Sequence, residues 1–114
     1  MAIKRGEIYL VDLTDALGSE QSGVRPAVIV QNDIGNSHSP TTLIVPLTSK
    51  TKTKMSPTHV TIRPEDGVKC VSEAECEQAR VADQVRLKRY IGTINNEEVL
   101  KEINQKLMVA FGLQ

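Results

Sequence analysis

The chain has 114 residues and a mass of 12.5 kDa, enough for one domain with a hydrophobic core and too few for two. Apolar residues make up 39% and charged residues 25%, while aromatics are only 3% and Trp is absent; this excludes a nucleic-acid binder that works mainly by stacking bases on aromatic platforms. Fourteen Lys and Arg balance fourteen Asp and Glu, so no global field draws the chain to nucleic acid or to a membrane, and any nucleic-acid contact requires a local basic face.

Taken in chain order, the first two-thirds read as β. Glu7 to Leu13 is rich in strand formers and follows Gly6. Thr14 to Val24 is a polar loop with Gly18 and Gly23 as hinges, of a length often used for function. Arg25 to Asn32 is the next expected strand, with Pro26 near its start, where no ladder donor is needed. Asp33 to Pro40 reads as a loop. Thr41 to Thr48 is a strand in which Pro46 predicts an edge or a bulge. Ser49 to Pro57 is polar and basic, and Thr58 to Ile62 alternates with period two. Pro64 to Gly67 is a turn.

From Cys70 to Ala82 an alternation sets Ser72, Ala74, Cys76, Gln78 and Arg80 against Glu73, Glu75 and Glu77. Tyr90 to Ile94 is a last short strand. Asn95 is placed to cap a helix, with Glu98 closing a capping box. Val99, Ile103, Leu107 and Phe111 give that helix an apolar stripe, and Gly112 ends it. The whole, residues 1–114, is expected to be one mostly-β domain, a small bent barrel with a C-terminal α-helix.

The charges are unevenly placed. Between Asp33 and Glu65 there is no acid but Lys50, Lys52, Lys54 and Arg63, whereas Glu65 to Asp83 carries six acids against Lys69 and Arg80. Two ordinary solvated faces or a bipolar site both fit this pattern. Cys70 and Cys76 have no zinc or redox spacing and sit ~20 Å apart if extended, too far for a disulfide. They read as reduced, structural thiols. His38 and His59 have no neighbouring ligand pattern, so no metal site and no cofactor is expected. No apolar run approaches the ~20 residues that span a bilayer. Met1 to Gly6 lacks the apolar core of a secretory signal. A cytoplasmic protein without membrane contact is the expectation.

The strands 25–32 and 41–48 are equal in length and joined by eight residues. Paired antiparallel in a symmetric register, they set Asn32 opposite Thr41 and Arg25 opposite Thr48, with Cβ atoms ~5 Å apart on one face. A cation beside a hydroxyl suits a phosphodiester. Arg offers a fork of donors matched to phosphate oxygens. RNA carries its own nucleophile, the 2′-OH, so cleavage by that route needs alignment and donors for developing charge. The plainer reading of the same spacing is an Arg closing a strand end and a Thr in a sheet.

Several blocks then acquire a common meaning: Lys4-Arg5-Gly6-Glu7-Ile8-Tyr9, Gly18 to Pro26, Gln31-Asn32-Asp33, Pro46-Leu47-Thr48, Pro57-Thr58-His59-Val60, and Glu77-Gln78-Ala79-Arg80 with Asp83. In order and spacing the chain resembles the MazF/PemK (Kid-like) toxin family along nearly its whole length, in particular the Gram-positive type with its GSEQxGxRP and QNDIGN blocks. The resemblance implies an SH3-like barrel of the CcdB/MazF/Kid kind, assembled as a homodimer with RNA along the dimer groove. It implies the toxin of a type II toxin–antitoxin pair: a metal-independent, sequence-specific endoribonuclease that cuts single-stranded mRNA to a 2′,3′-cyclic phosphate and a 5′-hydroxyl. The implied partner is a MazE/PemI-like antitoxin with a disordered C-terminal segment.

Arg25 and Thr48 fall on the family's catalytic arginine and threonine. Leu17, Ser19, Glu20, Gln21, Glu77 and Gln78 are the implied base readers. Lys50, Lys52 and Lys54 are the implied contacts to the RNA backbone, and Ser49 is a further implied RNA-binding residue. Glu20 and Glu77 are candidates for general base. The chain departs from the family at Glu73 and Glu75, where apolar residues are usual; because a buried carboxylate is costly, that strand face is expected to be exposed or differently paired. Leu17 also stands where many relatives carry a larger residue. A non-cleaving, CcdB-like toxin that binds DNA gyrase is the alternative on the same fold, and Arg25 with Thr48 favours the enzyme.

Overall fold

The structure is a computed structural model that describes residues 2–18, 20, 22–49 and 56–113. Among these residues seven strands and two α-helices follow in the order β1 (Glu7–Leu13), β2 (Gly23–Ile29), α1 (Asp33–His38), β3 (Thr41–Thr48), β4 (His59–Ile62), β5 (Ser72–Glu75), β6 (Arg80–Asp83), β7 (Leu87–Thr93) and α2 (Glu97–Ala110). Every strand pairing is antiparallel, and the neighbours run β4-β5-β3-β2-β1-β7, with β6 added beside β3. This is the mostly-β sheet with a C-terminal helix that the sequence pattern predicts.

β3 organises the sheet. It lies against β2 through Ala27–Pro46, Val28–Val45 and Ile29–Ile44. On its other side it meets β6 over Thr41–Ile44 and then β5 at Leu47 and Thr48. Pro46 is neither on an edge nor in a bulge, contrary to expectation. It stands where β3 passes from one neighbour to the other, so a residue without an N–H costs no ladder bond there.

The buried residues form two clusters, one on each face of the central strands. Val28, Val45 and Leu47 join β4 and β5 beneath Ile103, Val99, Leu100 and Leu107 of α2. Ala27, Ile29 and Ile44 join Val11, Leu13 and Ala82 on the other. The two-sided burial explains the unbroken apolar runs of β2 and β3. The two ends of the sheet meet through glycines rather than ladder bonds. Gly67, just past β4, packs on Gly92 and Thr93 of β7. A Cβ at Gly92 would run into the Gly67 carbonyl, and one at Gly67, whose φ is +111°, would lie 2.8 Å from the Thr93 carbonyl oxygen.

Several local expectations are corrected. Asp33 to His38 is a short helix, not a loop. Asn32 leaves the β2 ladder to cap it, accepting from the Gly35 N–H at 2.8 Å, so Asn32 does not pair with Thr41. Asn36 is buried, takes the Thr42 hydroxyl at 2.7 Å and donates to the Gln31 carbonyl at 3.0 Å. The Gln-Asn-Asp-Ile-Gly-Asn block is therefore scaffold. The cap of α2 is Asn96, one residue later than expected, accepting from the Glu98 N–H at 3.0 Å. The alternation from Cys70 to Ala82 is broken by a 3₁₀ turn at Cys76–Gln78, which separates β5 from β6. Phe111, expected to end the buried stripe, is 66% exposed, while Gly112 takes φ +72° and closes the helix as expected.

Candidate active site

The loop between β1 and β2 is held at its base and turned at its tip. Asp15 takes two hydrogen bonds from Arg86, at 2.8 and 3.2 Å, and lies 3.7 Å from Arg80. Gly18 and Gly23 adopt left-handed φ values of +59° and +82°, which only glycine enters without strain. Between them Glu20 folds back and accepts the Leu17 N–H at 2.6 Å. Leu17 itself is exposed at the turn.

Arg25 follows this loop. Its Nε donates to the Ser22 carbonyl at 2.9 Å and its Nη1 approaches the Leu47 carbonyl at 3.5 Å, so the guanidinium ties the loop's end to β3. The β2–β3 register is the predicted one, and carried past Ala27–Pro46 it brings Arg25 alongside Thr48. Both residues line one cleft of about 470 Å³ with Pro26, Leu47, Ser49, Cys70 and Ser72. No carboxylate lines it, and Arg25 forms no ion pair among the described residues. A fixed cation beside a hydroxyl, in a cleft that no carboxylate among the described residues lines, suits an anion.

A second cleft of about 430 Å³ is lined by Glu20, Glu77, Gln78, Ala79, Arg80 and Val81. Three of the predicted base readers, Glu20, Glu77 and Gln78, are thus brought together. Leu17 lies on the loop beside them but outside this lining, and Ser49 belongs to the first cleft. Ser19, Gln21, Lys50, Lys52 and Lys54 lie outside the described residues. Neither carboxylate suggested as a general base, Glu20 or Glu77, lines the cleft of Arg25 and Thr48.

Sequence reasoning missed His59. Its Nδ1 lies 2.7 Å from Glu73 Oε1 and its Nε2 lies 3.0 Å from Glu77 Oε2, while the Thr58 hydroxyl donates to Glu77 Oε1 at 2.7 Å. The β4–β5 register sets His59 opposite Glu75 and diagonal to Glu73. Glu73 and Glu75 are both buried, so the expectation of an exposed face is overturned, and for Glu73 an imidazole partner offsets the cost of burial. Burial opposes protonation of His59, but hydrogen bonds and charges from Glu77 and Glu73 outweigh it and raise its pKa above the ordinary 6.5. Burial likewise pushes against ionisation of Glu77, and the bonds from His59 and Thr58 overcome it, lowering its pKa below 4.5. The signal available in the sequence was the run of Glu73, Glu75 and Glu77 at alternate positions, next in the fold to a strand that opens on His59.

Among the described residues, His59, Glu75 and Glu77 come nearest to a metal-ligand set, with ligand atoms within 4.8 Å of one another. Both imidazole nitrogens already face carboxylates, so an ion would have to displace one of them. Cys76 is buried and its thiol is pushed up to about 12, first by burial and then by the Glu77 charge; it is an inert structural thiol, as expected. Cys70 is exposed and free.

Residues 4–111 match the family described as the PemK-like, MazF-like toxin of type II toxin–antitoxin systems. The chain belongs to this family. It is 38% identical to the endoribonuclease MazF of Staphylococcus saprophyticus over 97% of its own length and 92% of that protein's. The crystal structure of MazF from Deinococcus radiodurans superposes with a TM-score of 0.83 at 26% identity, covering 98% of each chain. A mycobacterial endoribonuclease solved in complex with its cognate antitoxin superposes with a TM-score of 0.81 at 28% identity, covering 99% of this chain and 98% of that one.

Proposed function

We propose that this toxin cuts single-stranded RNA at the cleft of Arg25 and Thr48 and reads bases at the cleft of Glu20, Glu77 and Gln78. It is an endoribonuclease of the MazF type and the toxin half of a type II toxin–antitoxin pair. The observation that carries the assignment of its site is the convergence of Arg25 and Thr48 in one cleft that no carboxylate among the described residues lines.

In this reading the RNA 2′-oxygen attacks the adjacent phosphorus as the bond to the 5′-oxygen breaks. The products are a 2′,3′-cyclic phosphate and a 5′-hydroxyl, and the substrate's own hydroxyl serves as nucleophile. Arg25, with a reference pKa above 12, is a poor proton shuttle. Its role is to stabilise the extra negative charge on the phosphate oxygens in the transition state. Thr48 donates to the scissile phosphate and fixes it for in-line attack. The second cleft meets bases whose pairing edges are open, as they are in single strands.

The partners in this reading are a second copy of the chain and an antitoxin. A two-fold axis joins two short clefts into a groove long enough for several nucleotides. The antitoxin's disordered, acidic and apolar C-terminal segment orders along the same groove. Among the described residues no helix is long and apolar enough to cross a membrane, and we place the toxin with its mRNA substrate in the cytoplasm.

The test is incubation of purified protein with a long single-stranded RNA in EDTA, with cut sites mapped by primer extension. Discrete cuts that leave cyclic phosphate, and that vanish when the 2′-OH at the cut site is replaced by hydrogen, are expected. An intact RNA, or cuts that survive 2′-deoxy substitution, would overturn the mechanism.

A further inference from the structure

His59 bridges Glu73 of β5 and Glu77 at the second cleft. Glu73, to which its Nδ1 is bonded, pairs with Thr48 in the β3–β5 register. Glu77, which faces its Nε2, lines the base-reading cleft. A neutral imidazole has one N–H and one lone pair. An imidazolium donates from both nitrogens, and a ring with a carboxylate oxygen at 2.7 Å from one nitrogen and at 3.0 Å from the other is placed to use both.

We propose that His59 is a positioning residue for RNA recognition: as an imidazolium clamped between Glu73 and Glu77, it holds the Glu77 carboxylate ionised and fixed at the wall of the second cleft, as acceptor for the N–H groups on the pairing edge of one RNA base. The inference rests on the RNA-cleaving reading of the site. Thr58 fixes one Glu77 oxygen and His59 the other. Each oxygen keeps a further lone pair for the base.

When the ring loses its proton, one nitrogen turns a lone pair toward a carboxylate oxygen about 3 Å away, which is repulsive. Of the two carboxylates, Glu73 has a side chain only 11% exposed while that of Glu77 is 39% exposed. Glu77 is therefore the one that swings free, and recognition loosens as pH rises through the His59 titration. Other charged groups stand around the ring and its partners. Glu75 on β5 has a carboxylate oxygen within 4.8 Å of the His59 and Glu77 ligand atoms. Glu20 shares the cleft with Glu77. β4 buries Val60 and Ile62 in the core cluster that α2 covers, the face opposite His59. From α2, Glu102 and Lys106 carry opposite charges that are both felt at Cys76.

The experiment has two arms on the full-length protein. In the first, the His59 ring is titrated by NMR in the wild type and in Glu77→Gln, an exposed substitution that leaves the core untouched. The titration midpoint is expected to fall in the variant, and an unchanged midpoint would overturn the clamp. In the second, binding is measured from pH 6 to pH 9 for an oligonucleotide carrying the mapped cut sequence with 2′-deoxy substitution at the cut site. Analogues that delete one base N–H group (inosine for guanosine, purine riboside for adenosine) are compared with it. At one position the wild type should lose about tenfold in affinity with the analogue at low pH, the worth of one hydrogen bond to a charged acceptor. That discrimination should disappear as His59 titrates and be absent at every pH in Glu77→Gln. Discrimination that persists above the His59 midpoint would overturn the inference while leaving RNA cleavage intact. A wild type that binds no RNA at any pH would overturn the RNA reading itself, and this inference with it.

Discussion

Removing either half of the Arg25–Thr48 pair should stop cleavage without unfolding the protein, and the structure says by how much. Arg25 spends its Nε on the Ser22 carbonyl and part of Nη1 on that of Leu47, while Nη2 has no protein partner among the described residues. The anchoring bonds orient the fork, and the outer nitrogens remain for phosphate. Arg25→Ala deletes that preorganised donor, a loss of ~3–4 kcal/mol of transition-state stabilisation or roughly 100- to 1,000-fold in rate. Arg25→Lys keeps the charge but cannot bond the Ser22 carbonyl and hold a forked phosphate contact together, so it too should fall by about 100-fold or more. Thr48→Val keeps the shape of the strand and loses only the hydroxyl, with an expected loss again of about 100-fold. Thr48→Ser should stay within about tenfold of wild type because the donor remains. Single-turnover cleavage of an end-labelled RNA in EDTA gives the rates, and thermal melting shows that each variant is folded. Rates for Arg25→Ala and Thr48→Val within about threefold of wild type, with melting unchanged, would sink the assignment.

Two further outcomes concern the scaffold and its ion pairs. The His59 pKa is raised above 6.5, so its contribution to stability is complete below that value and is lost as pH rises through the folded pKa. The Glu77 pKa is lowered below 4.5, so its contribution is present above 4.5 and is lost as pH falls through the folded pKa. The difference in melting temperature between wild type and Glu77→Gln should therefore be largest between these limits and shrink on both flanks; a difference that grows toward alkaline pH would contradict the imidazolium assignment. Gly92→Ala drives a Cβ into the Gly67 carbonyl, backbone against backbone. Urea unfolding should show it destabilised by about 1–3 kcal/mol, and an unchanged midpoint would mean that the sheet ends do not meet there.

The parts of the site that depend on two neighbouring strands were legible in the sequence. Runs 25–32 and 41–48 have equal length, a short connection and apolar residues on both faces, and those three facts fix an antiparallel register that sets Arg25 beside Thr48. The loop carrying Glu20 announced itself by Gly18 and Gly23, which the structure uses at positive φ. What stayed hidden needs a third element. Asp33 to His38 contains Gly35 and Asn36, poor helix formers, and the helix exists because Asn32 caps it and Thr42 and Gln31 hold Asn36 from outside. The end of β2 was missed for the same reason, since Asn32 serves the cap rather than the ladder.

The carboxylates of β5 carry the same lesson further. Alternation gave the correct face for Glu73 and Glu75, but a period of two says nothing about which side is covered. Hydropathy argued for water, and the fold buries both beside His59, whose position on β4 becomes relevant only once β4 and β5 are in register. A buried carboxylate on a strand breaks the apolar burial that the rest of the sheet obeys. It persists where a partner of opposite charge holds it, and that partner here is the imidazole that also holds Glu77 at the second cleft. A conflict between local pattern and global burial is expected at functional or strained positions. In this chain the conflict falls one strand away from Thr48, and it is there that this toxin's own base preference should be set.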